Sequence, residues 1–333
     1  MVGGPGWYER SLRARSRRAR DNGGAKRRKV SATACTATAL LLVLAVSLAG
    51  CTTAIPEFAP ADIEADVKLP QEDGSLRFAV MGDTGTGDSA QYRVAGLMAI
   101  YHKAFPFELV LMLGDNLYGG EAAGDYERKF EVPYKPLLDA GVKFYASLGN
   151  HDDRPQRLYE NFNMGGELYY SFSPAEDVRF FALYSDYLDP EQVRWLEEEL
   201  AESTERWKIC FFHHPLYSPE GGRHGPSLEL RDVLEPLFVT HGVDVVFSGH
   251  EHFYARLIPQ NGIVYFISGA GGKLRAGDVL PSERTAAKYD DGRSFMILEL
   301  AGDDLHFQVI SGSGSTVDLG AIENRDKVTQ DPR

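Results

Sequence analysis

Seven side chains in five short strings have the chemistry of metal ligands. They are Asp83 in Gly82-Asp83-Thr84-Gly85, Asp115 and Tyr118 in Gly114-Asp115-Asn116-Leu117-Tyr118, and Asn150 in Gly149-Asn150-His151-Asp152. His213 in His213-His214-Pro215 and His250 and His252 in Gly249-His250-Glu251-His252 complete the set. Carboxylate, amide and phenol oxygens combined with imidazole nitrogens suit iron, zinc or manganese. Seven such donors exceed what one tetrahedral or octahedral ion needs once water is counted, but they suit two ions that share a carboxylate, for which Asp115 is the natural bridge.

Each string follows a short apolar run that reads as a buried β-strand: residues 78–81, 109–113, 144–148, 209–212 and 243–247. An open sheet with helices between its strands brings the carboxyl ends of those strands to one edge, where α/β folds keep their ligands. Helices are expected over residues 90–102, 126–139, 191–203 and 228–241, with Gly141 and Gly242 placed to end two of them in a left-handed residue. Asp189-Pro190-Glu191-Gln192 reads as an N-cap, a first-turn proline and the glutamine of a capping box. Further strands are expected at 263–267, 295–300 and 305–310, the last two as a hairpin across Gly302. Composition and pattern together give an α/β domain, with no internal repeat.

The five strings in this order resemble the calcineurin-like metallophosphoesterases, and the tyrosine three residues after Asp115 resembles the purple acid phosphatase branch. His213-His214-Pro215, His224-Gly225-Pro226 and Ser268-Gly269-Ala270-Gly271 are similar to its small, tartrate-resistant type. The resemblance spans roughly residues 76–310 and implies a four-layer αββα sandwich of two mixed β-sheets flanked by helices. It implies Asp83, Asp115, Tyr118 and His252 around a first ion, Fe(III), and Asp115, Asn150, His213 and His250 around a second, Fe(II), Zn or Mn. His151 and His224 match the family's catalytic histidines. One departure is Cys210, where the family usually has valine; the strand character of Ile209-Cys210-Phe211-Phe212 survives it.

The implied activity is that of an acid phosphatase. Two ions generate a hydroxide for in-line attack on a phosphomonoester, and a protonated histidine assists the leaving oxygen, so an acidic optimum is expected. A phosphodiesterase or nucleotidase on the same scaffold is the alternative, because the metal strings leave the leaving group open. A non-catalytic surface lipoprotein is the remaining option, and the intact ligand set argues against it.

An isolated histidine on an apolar strand is usually a hydrogen-bonded core residue; agreement of seven residue types in order sets these apart. His214, Arg223, Asp152 and Lys273 lie near the strings, but charged groups beside a cleft are more often solvated, so they stand outside the expected set. Asp152 is a candidate hydrogen-bond partner for a histidine.

The chain opens with a basic stretch, Arg10 to Lys29, then an apolar stretch over residues 37–49 that is short for a membrane span and suits a signal-peptide core. Leu48-Ala49-Gly50-Cys51 resembles a bacterial lipoprotein signal. The expected organisation is a signal peptide over 1–50, a lipid on Cys51 with a tether over 51–73, a catalytic domain over 74–312 and a loosely packed tail over 313–333. Such a chain would be an extracytoplasmic lipoprotein of the cell envelope, periplasmic or at the cell surface, held to the membrane through Cys51. Removing the first 50 residues takes away ten basic and two acidic side chains and lowers the net charge from -13 to -21. That surface excludes nucleic acid as a general partner and leaves phosphate esters to be drawn locally, by the metals. Of three cysteines only Cys210 would then remain unmodified, so no intramolecular disulfide is expected and the thiol is expected to be buried.

Overall fold

The computed structural model describes residues 63–219 and 224–324, with the side chains of 224–226 outside that description. The expected signal peptide, Cys51, the tether as far as residue 62 and the tail from residue 325 lie outside the described residues.

Two mixed sheets form, their central strands buried on both faces. The first has the order β13 (Thr316–Glu323), β12 (Asp304–Ser311), β11 (Ser294–Ala301), β1 (Leu76–Met81), β2 (Leu109–Leu113) and β3 (Lys143–Ser147). Within it β1, β2 and β3 run parallel, whereas β11, β12 and β13 pair antiparallel. The second has the order β10 (Thr285–Tyr289), β8 (Tyr254–Leu257), β9 (Val264–Ser268), β7 (Val245–Ser248), β6 (Trp207–Phe212), β5 (Val178–Ala182) and β4 (Tyr170–Ala175). There β5, β6, β7 and β9 are parallel.

Alternation of side chains along each strand builds the layers. In β1, Phe78 and Val80 point into a core shared with Ile209 and Phe211 of β6 and Phe247 of β7. Ala79 and Met81 face the opposite way, onto Val94, Met98 and Tyr101 of α1 (Ser89–Ala104). In β6, Cys210 and Phe212 face outward onto Leu196 and Leu200 of α4 (Pro190–Glu202) and Leu234 and Phe238 of α5 (His224–Thr240). The result is helix, sheet, sheet, helix, the expected four-layer sandwich. Cys210 is fully buried, as its apolar neighbours predict.

The differences from expectation have local causes. The single helix expected over 126–139 is instead α2 (Ala123–Tyr126), a π-helical turn over Glu127–Glu131 and α3 (Lys135–Asp139). Pro133 lies between the π turn and α3, and a proline has no N–H to carry an α-helix through. Asp189 does cap α4, accepting the Gln192 backbone N–H at 2.8 Å. The reciprocal half of the capping box is missing, because the Gln192 amide is drawn inward to the Tyr184 backbone N–H (2.8 Å) and carbonyl (3.2 Å).

Both ends of the expected catalytic domain need correction. Residues 63–69, assigned to the tether, pack on the helical face of the first sheet: Leu69 is buried, Ile63, Ala65 and Val67 lean on the core, and the Lys68 N–H donates to Gln308 Oε1 at 2.8 Å. The buried Glu299 carboxylate then accepts the Gln71 and Glu72 N–H groups. The tail is not loose over Thr316–Glu323, since this segment is β13, paired along its length with β12. Among the described residues no helix is long and apolar enough to cross a membrane.

Candidate metal centre

All five strings leave the carboxyl ends of parallel strands, three from the first sheet (β1, β2, β3) and two from the second (β6, β7). His213 pins the two sheets together, its Nδ1 donating to the Leu113 carbonyl at the end of β2 at 2.9 Å. Asp83, Asp115 and His250 turn off their strands with φ of 56°, 51° and 67°, a left-handed conformation that is costly for residues other than glycine. Left-handed backbone at three of the expected donors, from separate strands, is a feature that clusters at functional sites.

The donor atoms gather in two sets. Tyr118 Oη lies 3.0 Å from Asp83 Oδ1 and 3.2 Å from His252 Nε2, and His252 Nε2 lies 3.2 Å from Asp83 Oδ1. In the other set, Asn150 Oδ1 lies 3.1 Å from His213 Nε2 and 3.0 Å from His250 Nδ1, with the two nitrogens 3.1 Å apart. Asp115 Oδ1 stands 3.4 Å from His213 Nε2 and also accepts the His151 backbone N–H at 2.9 Å. Asp83, Asp115 and His213 lie close enough to hold one ion, so the two sets adjoin where these three residues meet.

The donor chemistry fits cations. Burial holds His213 well below the ordinary imidazole range, and burial followed by the neighbouring His213 brings His250 down to about 2, so both rings are neutral. The one proton of His213 is committed to Leu113, which leaves Nε2 a bare lone pair. That atom, His250 Nδ1 and Asn150 Oδ1 have at most one proton among them, whereas a cation satisfies all three. In the first set burial, then the Asp115 charge, raises Asp83 well above the usual carboxylate range. Burial and the two carboxylates raise the Tyr118 phenol, so it ionises only against a strongly Lewis-acidic ion. Gly149 is required by close approach: a Cβ there would overlap Asp115 Oδ1.

Of the two expected catalytic histidines, His151 is exposed at the mouth, its ring 4.9 Å from that of Tyr118. His224 opens α5, and its side chain lies outside the described residues, as does Arg223.

Four residues contribute in ways the sequence did not announce. Asp152 does not bond a histidine: its carboxylate accepts the backbone N–H groups of Asn116, Leu117 and Gly149 at 2.9 to 3.0 Å and the Gln156 amide at 2.8 Å. It thereby fastens the second string to the third, and burial with the Asp115 charge pushes it up to about 7 despite those donors. Replacing it with alanine strands three buried N–H groups, and a loss of about 3–5 kcal/mol is expected. The melting temperature should fall by about 10 °C and metal affinity by about 10–100-fold; a variant melting with the native protein and retaining its metal would sink this role.

Lys129 is buried in the π turn and spends its ammonium protons on the carbonyls of Tyr118 (2.7 Å) and Gly120 (2.8 Å) and on Asp125 (2.8 Å), anchoring the tyrosine loop. Lys273 places Nζ 4.5 Å from the Tyr118 ring centroid, a cation over the ring rather than a solvated side chain. His214 is held by Ser185, whose Oγ accepts its N–H at 2.9 Å and lies 3.1 Å from its Nδ1, with its ring 4.5 Å from that of His250. The doubled histidine was a signal for this residue; Ser185, on another loop, was not.

The calcineurin-like phosphoesterase family profile matches residues 76–254. Purple acid phosphatase 17 of Arabidopsis thaliana is 26% identical over 283 residues, covering 73% of this chain and 83% of the relative. Tartrate-resistant acid phosphatase type 5 of Oryctolagus cuniculus is 28% identical over 261 residues, covering 63% and 78%. Among solved structures, GAP50, the anchor in the inner membrane complex of Plasmodium, superposes with a TM-score of 0.65 at 17% identity, over 75% of this chain and 89% of that one, a likeness of fold. A profile match over more than half the chain, on a site of this donor chemistry, makes the protein a metal-dependent phosphoester hydrolase and a member of the calcineurin-like phosphoesterase family.

Proposed function

We propose that the protein is a phosphomonoesterase of the purple acid phosphatase kind with two metal ions. Asp83, Asp115, Tyr118 and His252 hold the first, ferric iron, and Asp115, Asn150, His213 and His250 hold the second, Fe(II), Zn or Mn. The observation that carries this reading is the gathering of the donor atoms into two adjoining sets, with Asp115 where they meet. Bound there, two cations supply Lewis acidity for in-line displacement at phosphorus.

The protein's own groups do the rest. The His151 N–H orients the shared Asp115 carboxylate, and the exposed His151 ring is placed to hydrogen-bond the phosphoryl group or protonate the leaving oxygen. His224, at the start of α5, is assigned the same duty by the resemblance of His224-Gly225-Pro226. The Lys273 ammonium adds positive charge beside Tyr118, which favours an anionic substrate in an acidic protein. We further propose that the chain is anchored in the cell envelope by a lipid on Cys51; mass spectrometry finding that thiol free in the envelope fraction would overturn this.

Elemental analysis and a visible spectrum, taken with Tyr118→Phe, test the metal assignment. About two metals per chain including iron, with a visible band that the variant loses, are expected. A colourless protein with two zinc ions would leave Tyr118 structural. On the same preparation p-nitrophenyl phosphate should be hydrolysed faster than its bis ester, with an acidic optimum; a faster diester would make the enzyme a phosphodiesterase.

A further inference from the structure

The loop leaving the fourth string and the first turns of α5 wall a pocket of about 490 Å³ whose charge opposes that of the whole chain. Among the described residues its lining includes Arg231, Arg284, Ser218, Ser227 and Ser282 and no carboxylate, in a protein with 48 acidic and 35 basic residues. Both guanidiniums approach the ring of Tyr217, with Cζ 4.6 Å (Arg231) and 5.9 Å (Arg284) from its centroid. That ring is fixed, its hydroxyl donating to Glu235 at 2.6 Å and its edge packed on Tyr265. Contact with a ring leaves the in-plane N–H donors of a guanidinium free. Among the described residues no ion pair uses those donors on either arginine.

Chain connectivity links the pocket to the proposed centre at two points. Tyr217 follows His213 by four residues. Arg231 follows His224 by seven on α5, which places it on the same helix face about 10 Å along the axis.

We infer that this pocket is a second anion subsite that selects phosphomonoesters carrying a further phosphate or carboxylate about 10 Å from the scissile phosphoryl group. Guanidinium forks bind either anion in bidentate fashion, and the serine hydroxyls supply adaptable donors beside them. The inference rests on the phosphomonoesterase reading above.

The metal-loaded enzyme is assayed with hexanediol bisphosphate, which has a phosphate at each end, and with hexyl phosphate, which lacks the distal one. After correction for its two equivalent ends, the bisphosphate should be preferred by about tenfold in kcat/KM at low salt. In the double variant R231Q/R284Q, which keeps part of the side-chain stems that pack on Tyr217, the preference should collapse to about one. No preference in the native enzyme, or one that persists in the variant, overturns the subsite. If the native enzyme hydrolyses neither compound, the phosphatase reading fails, and calorimetric titration of hexanediol bisphosphate into the same two proteins decides the subsite alone. An affinity about tenfold weaker in the variant supports it; equal affinities overturn it.

Discussion

Asp115→Asn is expected to abolish phosphatase activity, by at least about a thousandfold in kcat/KM, and to empty both metal positions together. Asp115 lies between the two sets, close to Asp83 on one side and to His213 on the other, and its Oδ1 also receives the His151 N–H. Asparagine preserves the size and one acceptor oxygen but removes the charge that two cations would share. It also removes the negative charge that raises Asp83, so the metal-free variant should be no less stable than the metal-free native protein. Metal content and activity are measured on one sample, with circular dichroism as the check on folding. A variant that keeps two ions would show that the sets do not share Asp115.

Stripping the metals with a chelator is expected to lower the melting temperature by about 10 °C or more. Ions present at about a thousand times their dissociation constant contribute about 4 kcal/mol, and each kcal/mol shifts a domain of this size by about 2–4 °C. Rebinding should release protons from Asp83 and Tyr118 and none from the imidazoles of His213 and His250. Asp83 has its folded-state pKa raised, so in the metal-free protein it holds a proton that a ligand must give up. Tyr118 is likewise raised and, under the proposed assignment, would give up a second proton to ferric iron. His213 and His250 have theirs lowered, so they are already neutral at pH 6 and release none. Protons therefore compete with the metal as pH falls through the raised pKa of Asp83, and affinity should drop about tenfold per pH unit for each proton displaced. Calorimetry in buffers of different ionisation enthalpy counts them; release from the imidazoles at pH 6 would contradict this electrostatic account.

What was legible in the sequence was whatever a short window determines. The buried parallel strands are near-continuous apolar runs, as at Leu109–Leu113 and Trp207–Phe212, and each ligand string lies immediately after one. Two edge strands, β4 and β13, were missed because their residues are mixed: β4 contains Ser171, Ser173 and Pro174, and β13 contains Asp318 and Gly320 and stands next to a Gly- and Ser-rich turn. The supporting residues of the centre were missed for another reason. Asp152 bonds backbone groups 35 and 36 residues away, Ser185 meets His214 from 29 residues away, and Lys129 is turned inward by a π-helical turn that no 3.6-residue pattern predicts. Their partners are main-chain atoms or distant hydroxyls, which leave no trace in residue type.

The left-handed backbone at Asp83, Asp115 and His250 carries a selective consequence. Each of these conformations costs roughly 1 kcal/mol or more, and glycine adopts them freely. A lineage in which hydrolysis no longer mattered would gain stability by drifting to glycine at all three positions. Side chains kept at this backbone cost are accounted for if turnover needs them, and a descendant that had become a scaffold would then reveal its change of occupation first at these three sites.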